Sequence, residues 1–139
     1  TDPANNAVAV GLDASLFTVV SKIGSCGYEV GLNKAGQIRI YGNRADGNGN
    51  TLSVSIGSAY VIKSVVFTFG ASSNTPTGDL VLGSNTTTMT AADLTNVTKT
   101  YSDLSINSFS LKNTQVSSGS NNAQIYILSI AITYQLVAA

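Results

Sequence analysis

The chain has 139 residues, of which 43% are hydrophobic and only 10% charged, and seven basic residues balance seven acidic ones. Such a length closes about one domain. Zero net charge argues against both the basic footprint of a nucleic-acid binder and a polybasic membrane anchor, and no apolar run approaches the ~18 residues of a spanning helix.

The start, Thr1-Asp2-Pro3-Ala4-Asn5-Asn6, carries no signal peptide and reads as the edge of a single module, residues 1–139, excised from a longer chain. Leu12 to Ile23 is the one helix candidate. Asp13 can cap a turn, and Leu12, Leu16 and Val19 or Val20 have helical spacing. Because Phe17-Thr18-Val19-Val20 is rich in β-formers, one helical turn followed by a strand is expected.

From there the hydrophobic period is two. Tyr28–Leu32 faces Gln37–Tyr41 across a turn, and the register of this hairpin can be argued. A three-residue loop, Lys34-Ala35-Gly36, pairs Asn33 with Gln37, Gly31 with Arg39 and Glu29 with Tyr41. It aligns Val30 and Leu32 with Ile38 and Ile40, and it puts Gly36 where a left-handed residue is needed. Next come Thr51–Ile56, with Leu52, Val54 and Ile56 on one face, and Val61–Phe69. Weaker strands fall near Asp79–Leu82, Thr86–Thr90, Val97–Tyr101 and Ser105–Lys112, and Ile125–Tyr134 closes the series. Turn clusters lie at Arg44–Asn50, Ala71–Gly78 and Ser117–Asn122. In both Val61–Phe69 and Ile125–Tyr134 the apolar phase slips midway, after Ile62 and after Ile127, which is the pattern of a β-bulge. Short strands at this spacing predict an all-β fold: an antiparallel β-sandwich, jelly-roll-like, with one short helical turn near the N-terminus.

Candidate chemistry is sparse. With no His, Ser-His-Asp and Cys-His catalysis are excluded, and zinc sites nearly so. Cys26 has no base to activate it, and the paired carboxylates of a glycosidase would have to come from Glu29 and scattered Asp residues. The chain reads as no enzyme.

The hairpin register gathers Glu29, Asn33, Gln37, Arg39 and Tyr41 into a strip on one face, with Gly31 leaving a notch beside Arg39. A guanidinium fork and a flat amphipathic ring suit a sugar or a carboxylate, so Glu29, Gln37, Arg39 and Tyr41 are the candidate ligand-binding residues. The plainer reading is a solvated sheet face with a cross-strand ion pair.

Asp46-Gly47-Asn48-Gly49-Asn50 resembles the opening of a calcium loop. Asp46, Asn48 and Asn50 supply oxygens at alternate positions, but Gly57 stands where a bidentate acid should be. The plainer reading there is a Gly/Asn turn, and no other cofactor is indicated. Tyr134 shares a face with Ile130 and Ile132 and belongs to the core, whereas Tyr126 points away from it.

The 18 Ser, 15 Thr, 13 Asn and 13 Gly fit a secreted or cell-surface protein. Three segments, VGLNKAGQIRIYG, GNTLSVSIGSAYVIKSVVFTF and AQIYILSIAITY, resemble the β-sandwich accessory modules of bacterial secreted and surface proteins, found beside Ig-like domains, nucleases or glycoside hydrolases. The resemblance spans roughly residues 12–134. It implies a non-catalytic module that binds glycan or, alternatively, a structural or adhesive spacer contacting neighbouring domains or a protein receptor. It implies no nucleic-acid partner and no membrane insertion. The chain departs from many sugar-binding modules in having no Trp.

Overall fold

A computed structural model describes residues 6–34, 37–116 and 122–137. Among these residues ten strands form two five-stranded antiparallel sheets packed as a jelly-roll-like sandwich. One sheet has the order β1 (Phe17–Lys22), β4 (Thr51–Ile56), β9 (Ser108–Asn113), β6 (Gly78–Leu82), β7 (Asn85–Met89). The other runs β2 (Gly31–Lys34), β3 (Gln37–Tyr41), β10 (Gln124–Leu136), β5 (Tyr60–Phe69), β8 (Thr98–Tyr101). Among the described residues no helix is long and apolar enough to cross a membrane.

Alternation builds the core. Leu52, Val54 and Ile56 of β4, Ile38 and Ile40 of β3, and Leu80 and Leu82 of β6 all turn inward. Between the sheets, Phe67 lies parallel to Phe69 at 5.6 Å and meets Phe109 edge-on at 5.7 Å. Each such buried side chain contributes roughly 1.5–3 kcal/mol. Both phase slips are bulges. Leu128 is the extra residue of β10 between the pairs Ile127–Phe69 and Ser129–Thr68, and Lys63 is the extra residue of β5 between Ser64–Thr133 and Ile62–Tyr134.

One turn and then a strand form over 12–23, as expected. Asp13 does cap a turn: its Oδ1 accepts from Ser15 N–H at 2.9 Å and Ser15 Oγ at 2.6 Å, and β1 starts directly after it at Phe17. The helical turn is a 3-10 turn at Val8–Val10, ended by Gly11 at φ 82, and a second spans Ala92–Leu94.

In the first hairpin Gly31 does face Arg39, but the closing pair is Lys34–Gln37 rather than Asn33–Gln37. An irregularity between Gly31 and Lys34 absorbs the extra residue. The ladder ends at Gly31, so it does not hold Glu29 opposite Tyr41. Residues 35 and 36, and with them the conformation expected of Gly36, lie outside the described residues. Tyr134 is only half in the core. It packs edge-on against Phe17 and Tyr60 and keeps 39% of its surface exposed.

Candidate functional site: a cleft over a buried amide network

At one end of the sandwich the two sheets are joined by polar rather than apolar contacts. Asn50, where β4 approaches, and Asn113, where β9 ends, are both fully buried. The Asn50 carbonyl oxygen accepts from Tyr41 N–H at 2.9 Å, and its amide donates to the carbonyls of Ile23 at 2.8 Å and Tyr28 at 3.0 Å. Asn113 donates to the carbonyls of Ile40 at 3.0 Å and Ala123 at 3.2 Å, and accepts from Gln115 N–H at 3.1 Å. These amides satisfy backbone groups that the ends of the strands would leave orphaned in the interior. The network needs close backbone approach. A Cβ on Gly42 would come within 2.7 Å of Asn113 Oδ1, and one on Gly49 would meet the Asn113 carbonyl.

Above this network lies a cleft of about 470 Å³. Its walls come from four segments: Cys26, Gly27 and Tyr28 of the β1–β2 loop, Tyr41 and Gly42 at the end of β3, Asn74 before β6, and Asn122 and Gln124 at the start of β10. Asn50 positions two of those walls at once, through the Tyr28 carbonyl and the Tyr41 N–H. The rings of Tyr28 and Tyr41 lie 5.5 Å apart at 39°, and Tyr28 is 72% exposed.

Among the described residues no charged side chain lines the cleft. Asn74 donates to the Asn122 carbonyl at 3.1 Å, Asn122 Oδ1 accepts from Arg44 N–H at 2.9 Å, and Gln124 Oε1 accepts from Tyr126 Oη at 3.0 Å. Among the described residues, that leaves without a protein partner the amide nitrogens of Asn122 and Gln124, the amide oxygen of Asn74, and the hydroxyls of Tyr28 and Tyr41. Asn74 and Thr75 both hold left-handed backbone conformations, φ 60 and 51. For a β-branched residue that costs on the order of 1–3 kcal/mol, a strain often found at ligand-binding loops. Cys26 Sγ donates to the Tyr41 carbonyl at 3.4 Å, and burial pushes the thiol's pKa up. A thiol shifted in that direction is a weaker nucleophile near neutral pH.

The strip read from the sequence meets the cleft at Tyr41. Arg39, opposite Tyr126 in the β3–β10 ladder, lays its guanidinium 5.1 Å from the centre of the Tyr126 ring. Gln37, with its amide oxygen turned to the guanidinium, accepts from Arg39 Nε at 3.1 Å and Nη2 at 3.2 Å. Tyr126 does point away from the core, beneath Arg39. Glu29 is exposed, stands just before β2, and makes no ion pair among the described residues. So Gln37, Arg39 and Tyr41 lie together on β3, and Glu29 sits apart from their ladder.

The atoms offered to calcium have other partners. Asp46 Oδ1 accepts from Asn48 N–H at 2.8 Å, and Asn48 Oδ1 accepts the Lys112 ammonium at 2.9 Å. Asn50 Oδ1 faces the Tyr41 amide. An ammonium already on one of the three oxygens opposes a second cation there. Among the described residues no group of three or more Cys, Asp or Glu is placed to hold a metal.

Sequence reasoning missed Tyr28 as a site residue, and with it Asn74, Asn122 and Gln124. The Asn- and Gly-rich turn clusters on both sides were the signal available.

No protein-family model matches the chain, and no curated protein sequence does. Two solved structures are similar in fold. One is the family 32 CBM (carbohydrate-binding module) of NanJ from C. perfringens, solved in complex with galactose: 14% identity, 97% of this chain and 100% of that one covered, TM-score 0.49. The other is the CBM32 of AlyQ in complex with 4,5-unsaturated mannuronic acid: 16% identity, 96% and 92% covered, TM-score 0.44. At these values the likeness says nothing of what this chain binds.

Proposed function

We propose that this chain is a non-catalytic carbohydrate-binding module of a secreted or surface-attached bacterial protein. The glycan lies in the cleft over Tyr28 and Tyr41, with Gln37 and Arg39 extending the site along β3 and Glu29 at its margin. The observation that carries the reading is Tyr28, 72% exposed at the mouth of a neutral cleft whose amides and hydroxyls retain unused hydrogen-bonding capacity. A pyranose offers an apolar face for a tyrosine ring and a rim of hydroxyls that both donate and accept, as side-chain amides do. Among the described residues the lining holds no carboxylate, which supports binding without turnover. Composition supports the extracellular setting.

The test is a screen of neutral and acidic saccharides by isothermal titration, with Tyr28→Ala, Gln124→Ala and Arg39→Ala compared with the wild type. Binding that is lost in the first two variants supports the cleft, and loss in the third extends the site along the strip. No binding to any saccharide, or binding indifferent to all three substitutions, overturns the reading. The spacer reading is favoured by a separate feature, the exposed apolar pair formed by Leu136 at the end of β10 and Val137 just after it.

A further inference from the structure

Strand β10 changes character at its bulge. Gln124–Ile127 pairs with β3, and from Ile127 onward β10 pairs with β5 on its other side. Beyond Leu128 no strand of the described residues takes the side that β3 occupied, so among them Ser129–Leu136 is paired along one edge only. Val137 N–H donates to the Ala59 carbonyl at 2.8 Å, so Val137 faces β5. Alternation then turns the N–H and C=O of Ser129, Ala131, Thr133 and Gln135 toward β5, and those of Ile130, Ile132, Tyr134 and Leu136 toward the open edge. Among the described residues those four have no backbone hydrogen bond on that side.

Open edges are normally blunted by shortness or charge. The four outermost strands are 4–6 residues long; β1, β2 and β8 contain Lys22, Lys34 and Lys99, and β7 reads Asn-Thr-Thr-Thr-Met. The open stretch of β10 is eight residues with no charge and no proline. Its side chains alternate as a sheet interior requires. Ile130, Ile132 and Tyr134 pack toward the core, while Ser129, Ala131, Thr133 and Gln135 are exposed.

We propose that the occupant of this edge is a second copy of the chain, paired antiparallel through β10 about a two-fold axis at Thr133. The strand is self-complementary in that register. Ile132 meets the other copy's Tyr134, and Ile130 meets its Leu136, closing about eight backbone hydrogen bonds. Leu136, 65% exposed in the single chain, arrives beside a small notch walled by Val10, Ile38 and Ile130. No like charges meet, and the two sheets become one. The cleft, at the other end of β10, stays open in each copy, so the proposal does not depend on glycan binding.

Sedimentation velocity of the whole chain tests it. The wild type sediments at twice the chain mass at micromolar concentration. Thr133→Lys sets two ammonium groups face to face across the axis and Thr133→Glu two carboxylates, so each alone sediments as a monomer. Their equimolar mixture returns to twice the mass. Thr133 is exposed on the outer face, and unchanged far-ultraviolet circular dichroism verifies that the variants fold. A monomeric wild type, a Thr133→Lys variant that stays dimeric, or a mixture that does not recombine each overturns the proposal.

Discussion

The loop from Asn43 to Asn50 and the rim of the cleft are built from the same kinds of residue, and they use them in opposite ways. In the loop, Asn43 holds the Ser25 carbonyl at 2.7 Å, Asn48 holds Ser25 Oγ at 2.9 Å, and Asn50 is fully buried with both amide atoms engaged. At the rim, Asn74, Asn122 and Gln124 each use one amide atom on the protein, leaving the other without a protein partner among the described residues. At Asn50 burial makes the difference, since Asn48 is engaged while exposed. An amide shut away from water must satisfy every group around it, whereas an amide at a cleft mouth can exchange water for ligand at little cost.

The comparison breaks most visibly at Asn50. Asn50→Ala strands the Tyr41 N–H and the carbonyls of Ile23 and Tyr28. We expect a loss of about 3 kcal/mol in urea unfolding, and a melting temperature lower by on the order of 10 °C. An effect under about 1 kcal/mol would mean that water replaces the amide. Gly42→Ala, pressed against Asn113, should cost about 1–3 kcal/mol in the same assay. Tyr28→Ala sharpens the contrast from the other side: stability within about 0.5 kcal/mol of wild type, with saccharide binding abolished.

The smallest effect is expected from acid. The Lys99 ammonium, hydrogen-bonded to Asp93, together with Thr90, holds that carboxyl down at about 2 against an ordinary 3.8. A carboxylate lowered on folding stabilises the protein above its unfolded pKa, and that contribution fades as pH falls from 3.8 toward 2. Asp13 and Asp46 are lowered too, by hydrogen bonds from Ser15 and from Asn48, so the three add in the same direction. Melting temperature should stay flat from pH 7 to about 5 and decline gently below about 4, because all three groups are solvated. A steep fall at pH 5 would refute this assignment.

The strands were legible because the core writes itself into period two. Even the bulges could be read, since Ile62 before Val65 and Ile127 before Ile130 are phase slips that only an extra residue explains. The hairpin register was legible at Gly31–Arg39, where apolar neighbours align on both strands. It failed at the turn, where polar residues leave a one-residue offset unmarked. The cleft was hidden for a different reason. Its walls come from segments around residues 26, 41, 74 and 122, and only the interleaved strand order brings them together. Asn50 is ambiguous in sequence because alternating Asn and Gly look alike in a calcium loop and in a turn that rivets two sheets.

The position of β10 also sets the order in which the molecule can assemble. It is the tenth strand in sequence and the middle strand of its sheet, lying between β3 and β5. During synthesis the β2–β3 hairpin and the β5–β8 pair emerge first, but they cannot share a sheet until the final strand leaves the ribosome and threads between them. Folding therefore waits for the longest loop closures, which makes this a slow, late-committing domain, with refolding expected in milliseconds to seconds rather than microseconds.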